Sequence, residues 1–245
     1  MTDSLYTQRV QIQRKLAGLG LYSGEIDGDW GQKTYTAIAR VIDGYSGHHT
    51  SADLGLDSPV VPPKPTVDAS GPIPGKYLMD ARATGIVVHW TAGTNVASPD
   101  SDLPHYHFVI NGDGTISVGD HSIKDNDSTV DGVYAAHTRG HNTGIIGVAL
   151  AGMAGALQQP YRPGPHPINK TQWEMLPRVL AQLCRRYGIA PDKRSVLSHA
   201  EVQGTLGIAQ AGKWDISVLP WDTSIRSATE IGNRFRAATA LILAD

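Results

Sequence analysis

A single cysteine, Cys184, excludes an intrachain disulfide framework and leaves the redox compartment open. Excess charge of either sign is also missing. The net charge is -2, the pI is near 6.5 and no run of like charges occurs, so the chain has no global field for holding nucleic acid. No apolar stretch reaches the length needed to span a bilayer. Met1 to Val10 is polar and lacks the charged-then-apolar order of a secretory leader, so synthesis as a soluble cytoplasmic protein is expected, wherever it acts. The 245 residues suffice for one domain of ordinary size plus a small module.

Val10, Ile12, Leu16 and Leu19 predict a short first helix that ends at Gly18 or Gly20, where a residue free to take positive φ closes the last turn. A Gly-rich connection, Tyr22 to Gly31, leads to a second helical face of Thr34, Ala37, Ile38 and Val41. From about Gly44 to Gly75 apolar periodicity disappears, and Pro59, Pro62, Pro63, Pro65 and Pro72 precede Pro74. This composition predicts an extended linker, in which His48 and His49 are not expected to act as ligands.

Beyond the linker, strand and helix patterns alternate. Gly85 to His89 reads as a strand buried on both faces. Pro104 to Asn111 reads as another, paired with Thr115 to Gly119 through Gly112-Asp113-Gly114; Gly144 to Leu150 and Ser195 to Ser198 supply two more. Thr171 to Tyr187 is a predicted helix with Thr171 and Glu174 as its capping box and a stripe of Trp173, Leu176, Leu180, Leu183, Cys184 and Tyr187. Cys184 thereby reads as core packing. In the C-terminal segment, Ser224 to Leu243, Ile225, Ala228, Ile231, Phe235, Ala238 and Ile242 recur at helical intervals, with Arg226, Arg234 and Arg236 off that stripe. This helix is expected to pack on the sheet; an arginine-bearing amphipathic helix can alternatively touch an anionic membrane surface. The expected fold class is α/β, a central mixed β-sheet flanked by helices, preceded by a small all-α module.

Chemistry concentrates in two places. Eight of the ten histidines fall between His89 and His199, and both of those close apolar strand runs, which would present two imidazoles at one edge of the sheet. Ser198 to Asp215 is a loop-rich stretch that adds a carboxylate, Asp215, and an ammonium, Lys213. Two imidazoles and a carboxylate suit a borderline metal such as zinc, with a fourth position left to water as in catalytic rather than structural sites. The bland alternative for each histidine is a structural residue hydrogen-bonded near a strand end.

The residues also carry a family resemblance. Lys76 to about Asp222 resembles the type 2 N-acetylmuramoyl-L-alanine amidases, the group that includes phage lysozymes and the peptidoglycan recognition proteins. The matching pieces are Val88-His89-Trp90-Thr91-Ala92, Tyr106 to Ile110 followed by Asp113-Gly114-Thr115, Ala136-His137, Asn142 to Gly147, Ser198-His199 and Lys213-Trp214-Asp215. The resemblance implies that His89, His199 and Asp215 bind zinc, that Lys213 stabilises a developing oxyanion and that Tyr106 assists at the metal. It further implies that His137, Trp90 and Thr91 line the substrate groove. One branch of the family orients the attacking water with a glutamate where this chain has Ala149, so the base role is assigned to Tyr106 and Lys213, with Glu201 as competitor. His105 and His107 are expected to point away from Tyr106, as support. Gln8 to Asp43 resembles the peptidoglycan-binding type 1 module through Leu19-Gly20-Leu21-Tyr22, Asp27-Gly28, Trp30-Gly31 and Thr34 to Ala37.

The expected organisation is a helical wall-binding module over 1–45, a linker over 46–75, a zinc amidase domain over 76–222 and a C-terminal helix over 223–245. The implied activity is hydrolysis of the amide between the lactyl group of N-acetylmuramic acid and L-alanine, in a monomeric phage or prophage endolysin that reaches the wall once another protein opens the membrane. Peptidoglycan is the expected partner, and nucleic acid is not. Two alternatives are a recognition protein that binds the wall without cutting it and a cytoplasmic recycling amidase. The three ligand residues argue against the first, and the wall-binding module against the second.

Overall fold

The computed structural model describes residues 4–18, 20–28, 33–34, 37 and 71–244. The chain divides into two compact units, an N-terminal one whose described residues lie within 4–37 and a larger one that includes residues 71–243. Leu19, Trp30, Gly31, Ile38, Val41 and linker residues 46–70 lie outside the described residues.

In the N-terminal unit, α1 (Ser4–Gly18) buries Ile12 and Leu16. Gly20 takes φ 68°, and the next amide, Leu21 N–H, returns to the Leu16 carbonyl at 3.0 Å, so the expected glycine closure is present. Lys33, Thr34 and Ala37 are helical, the last two buried. The two segments meet through the buried side chain of Gln13. Its Nε2 donates to Asp27 Oδ1 at 3.0 Å and approaches Tyr22 Oη and Thr34 Oγ1, while its Oε1 accepts Gly28 N–H at 2.8 Å. One amide thus satisfies the polar groups of a loop that has few apolar side chains of its own.

The larger unit is organised on a five-stranded sheet of β1 (Gly85–Trp90), β2 (Phe108–Ile110), β3 (Ile116–Val118), β4 (Ile145–Leu150) and β5 (Val196–Ser198), in the order β3-β2-β4-β1-β5. Pairing is parallel except between β2 and β3, so the sheet is mixed with an antiparallel edge. The β2–β3 turn is the one expected. Gly114 takes φ 85°, and Asp113 Oδ1 accepts both the amide and the hydroxyl of Thr115. The β2 strand is shorter than the predicted Pro104 to Asn111. Its first half turns instead, with the His105 and Tyr106 amides bonded to the Asp102 carbonyl.

Period-2 alternation divides the sheet. Ile86, Val88 and Trp90 of β1, Ile146, Val148 and Leu150 of β4, and Phe108 and Ile110 of β2 enter a core shared with α2 (Lys170–Tyr187) and α4 (Ala228–Leu243). On the opposite face Val87, Ile145 and Leu197 pack on Val202 of α3 (His199–Leu206). The predicted stripe of α2 is buried from Trp173 to Cys184, and burial pushes the Cys184 thiol up to about 12, as fits a packing residue. The cap differs from expectation. Asn169 and Gln172, not Thr171 and Glu174, form the capping box, because the helix begins one residue earlier, at Lys170.

Three further expectations are corrected. Gly71 to Gly75 is not linker: Ile73 is fully buried, and Gln182 of α2 clasps both its backbone groups at 2.8 Å. Ser198 to Asp215 is not loop-rich throughout, since its first residues form α3, closed by Gly207 at φ 74°. Arg234 and Arg236 do not form a solvent face on α4. Arg234 bonds Asp222 at 3.0 Å, and Arg236, fully buried, grips Glu201 with Nη1–Oε2 at 2.9 Å and Nη2–Oε1 at 2.8 Å. That removes the charged face a membrane-surface helix needs. Gly232 makes the pair possible, because any β-carbon there would collide with the Glu201 carboxylate. Among the described residues no helix is long and apolar enough to cross a membrane.

Breaking a buried ion pair by removing one partner leaves the other charge unsolvated. Arg236→Met is therefore expected to cost about 3–5 kcal/mol, while Arg236→Met with Glu201→Gln recovers much of that loss. Urea denaturation of the three proteins, read by circular dichroism, measures both effects.

Candidate metal centre

The strand order places the three chemically marked residues together. His89 lies on the α3 side of β1, in register with Ala149 of β4, and β5 pairs on the other side of β1 with Val88 opposite Ser198. His199 follows as the first residue of α3, which brings the two imidazole centroids within 4.6 Å. Asp215 returns by its backbone. Its carbonyl accepts the Ala200 amide at 2.6 Å, one of the first-turn amides that no helical carbonyl can reach. Its Oδ2 then stands 3.1 Å from His89 Nδ1 and 3.2 Å from His199 Nδ1. One donor atom from each of the three buried residues lies within 4.8 Å of the other two.

The tautomers follow from the opposite nitrogens. Gln210 donates Nε2–H to the Arg139 carbonyl at 2.9 Å, which leaves its Oε1 to accept from His199 Nε2 at 2.8 Å. His199 therefore carries its proton on Nε2. His89 Nε2 faces His137 Nδ1 at 3.2 Å, and His137 Nε2 faces the Ile145 carbonyl at 3.3 Å. A carbonyl only accepts, so the protons sit on both Nε2 atoms and His89 Nδ1 is also a bare lone pair. Burial pulls His89 down to about 4, with Asp215 opposing and the charges of His199 and Lys213 adding to the fall. At neutral pH two uncharged imidazoles and one carboxylate thus turn electron pairs on a common point. These repel one another unless a cation lies between them, and two nitrogens with one oxygen are a donor set that suits zinc.

The sequence model of the family described as N-acetylmuramoyl-L-alanine amidase matches residues 79–216, more than half of the chain. The chain belongs to the N-acetylmuramoyl-L-alanine amidase family. A second model, described as a peptidoglycan binding domain, matches residues 6–41, so the amidase carries a wall-binding module. Among solved structures, N-acetylmuramoyl-L-alanine amidase LysC from Clostridium intestinale shares 20% identity over 59% of this chain and 83% of its own, with a TM-score of 0.37. An endolysin amidase, LysCS, from the same organism shares 18% over 54% of this chain and 88% of its own, with a TM-score of 0.34. Both likenesses are distant and bear on no detail of the chemistry. No curated protein matches the chain.

Around the amidase's three convergent residues the remaining candidates separate. Tyr106 packs its ring 5.2 Å from His89; burial, then the charges of Asp215 and Asp102, push its pKa upward, so it offers a phenolic O–H rather than a base. Lys213 is exposed, with its charge close enough to depress His89. Glu201 is excluded as a base. Both its oxygens bind Arg236, and Oε2 also accepts from the Ser198 amide at 2.8 Å.

Trp90 does not line the site. Alternation along β1 turns it to the face opposite His89, where it is buried with its ring 4.5 Å from that of Trp214. Thr91 fastens a loop, its Oγ1 accepting the amides of Gly93 and Gly152 at 3.1 Å each. His105 is exposed and bonded to the Ser101 carbonyl, whereas His107 is buried, with Nε2 on Asn126 Oδ1 at 3.1 Å and Nδ1 accepting the Gly147 amide at 2.9 Å. His107 supports the site, but it does not point away from Tyr106 as expected: the turn before β2 brings both rings to the His89 side, His107 against His137 at 5.9 Å and Tyr106 against His89 at 5.2 Å. Gln210 and Asn126 were invisible as site residues, since a lone amide side chain in a polar loop carries no sequence signal until its partners are known.

His137 occupies a slot that Gly147 leaves open: a β-carbon there would stand 2.6 Å from its Cδ2 and 2.7 Å from its Cγ. Gly147→Ala is expected to displace the ring and destabilise the protein by about 1–3 kcal/mol. Urea unfolding with the histidine ring NMR signals tests this, and wild-type values in both would mean that the slot has room to spare.

Proposed function

We propose that the amidase is a zinc-dependent hydrolase in which His89, His199 and Asp215 hold the ion, and that it cuts the amide between the lactyl group of N-acetylmuramic acid and L-alanine of the stem peptide. The observation that carries this reading is the convergence of His89 Nδ1 and His199 Nδ1 on Asp215 Oδ2, at 3.1 and 3.2 Å, with all three residues buried. Zinc at such a site supplies Lewis acidity, polarising a carbonyl and making water a nucleophile near neutral pH.

The chain's own residues divide the rest of the work. Lys213, exposed beside the histidines, is positioned to donate to the oxygen that gains charge as the amide carbon becomes tetrahedral. Tyr106, its ring packed against that of His89, keeps its phenolic proton and stays a hydrogen-bond donor. Gln210 and the fold around α3 keep the His199 proton away from the metal side. The wall-binding module would concentrate the enzyme on its polymeric substrate, as suits an endolysin that reaches the wall after the membrane is opened.

Digestion of purified wall is expected to release new amino groups without new reducing ends. Removal of metal with a chelator should abolish that release, and added zinc should restore it, with about one zinc bound per chain. Reducing ends in place of amino groups would identify a glycosidase, and release that is indifferent to chelation would remove zinc from the mechanism; wall binding with neither product would leave only adhesion.

Lys213→Ala is expected to lower kcat by about 100- to 1000-fold with zinc content unchanged, as for loss of an oxyanion donor. A change confined to KM, measured on soluble muropeptide, would place Lys213 in substrate binding instead.

A further inference from the structure

We propose that His137 is a positioning residue that fixes the tautomer of His89, accepting its Nε2 proton so that the Nδ1 lone pair faces the metal side. The inference rests on the zinc reading above and assigns to His137 a role other than lining the substrate groove.

The hydrogen bonds run in one direction. The Ile145 carbonyl accepts from His137 Nε2 at 3.3 Å, which requires a proton on that nitrogen and leaves His137 Nδ1 as an acceptor. That Nδ1 stands 3.2 Å from His89 Nε2 and 2.8 Å from the Thr138 hydroxyl, which is itself 3.4 Å from His89 Nε2. Whether the His89 proton goes directly to His137 or through Thr138, whose hydroxyl then donates to His137, the nitrogen that gives it up is Nε2. The opposite tautomer would set a lone pair of His89 against one of His137 and spend its Nδ1 proton on Asp215 Oδ2, 3.1 Å away, which closes the cation site. A ligand histidine is usually oriented in this way by a carboxylate or a carbonyl. Here an imidazole stands in that place, itself oriented by a carbonyl.

Two features show that the ring is held. Gly147 alone on β4 leaves room for it, and its edge packs on His107 with centroids 5.9 Å apart. The segment that carries it is anchored by Asn142 Oδ1, which accepts the His137 and Thr138 amides at 3.2 and 2.9 Å. His137 is buried, so its ring is poorly placed to meet a polymeric substrate and well placed to meet His89.

The test uses the full chain with 15N-labelled histidine. In the metal-free wild type, long-range proton–nitrogen NMR correlations should show His89 protonated at Nε2 alone. His137→Phe keeps the ring volume but removes the acceptor; it should give a mixture of His89 tautomers and zinc affinity lowered by about 10- to 100-fold in chelator competition. His137→Asn places Oδ1 where Nδ1 stood and should keep the tautomer and most of the affinity, which separates the hydrogen bond from packing. Wild-type tautomer and affinity in His137→Phe would overturn the proposal, as would a raised KM with zinc affinity unchanged, the mark of a substrate contact. If the wild type binds no zinc, the metal reading fails, while the tautomer spectra of the metal-free proteins still decide the positioning role.

Discussion

Three electron pairs buried at one point are costly, and the larger unit of this protein is built to hold them there. Two neutral imidazole nitrogens and a carboxylate oxygen face one another across about 3 Å. In water each would be solvated separately; inside the protein they are stable together only with a cation among them or a proton taken up. Nothing local enforces the arrangement. His89 and Asp215 are 126 positions apart, and only the pairing of β5 beside β1 and the capping of α3 by the Asp215 carbonyl bring them together.

The groups that hold the site from behind are therefore polar and fully used. Gln210 fixes His199, His137 meets His89, and Asn126 ties His107 to the Ala135 and Asn142 carbonyls. One step further out, the Glu201–Arg236 pair joins α4 to the first turn of α3, the turn that begins with His199. Its oxygens also cap the Ser198 amide, so the same carboxylate that could have been a base is consumed in setting the direction of the helix. A buried ion pair gains little net stability over an apolar one, and its geometric definition is what serves His199 at the start of that helix.

Much of this was legible in the residues, for reasons that mark where legibility ends. Strands buried on both faces announce themselves as apolar runs, so β1, β4 and β5 were readable, as were the α2 stripe and the convergence of His89, His199 and Asp215 on one edge. Where a residue belongs to a face, short-range pattern fails. Trp90 adjoins His89 in sequence, and the pleat sends it to the other side. His199 looked like the end of a strand because Val196 and Leu197 are apolar, whereas Ser198 and Glu201 make a capping box that starts a helix. Ile73 hides in a Pro-rich stretch, since its burial depends on Gln182, 109 positions away. Arg234 and Arg236 read as a charged face because their acidic partners come from other segments.

The contribution of β4 is space rather than charge. Beyond Ile145, its residues on the site side, Gly147 and Ala149, are the two smallest side chains available, and they lie beside Val87 and His89 in register. Glycine at 147 admits the His137 ring; alanine at 149 leaves the flank of His89 without a carboxylate. A glutamate there would add a second buried negative charge beside Asp215, and its like-charge repulsion would have to be met by the bound cation. This chain instead meets His89 with an uncharged histidine, so the site's formal charge before metal binding is that of Asp215 together with Lys213 at its exposed rim. Asp215 is thereby the one buried carboxylate among the three convergent side chains.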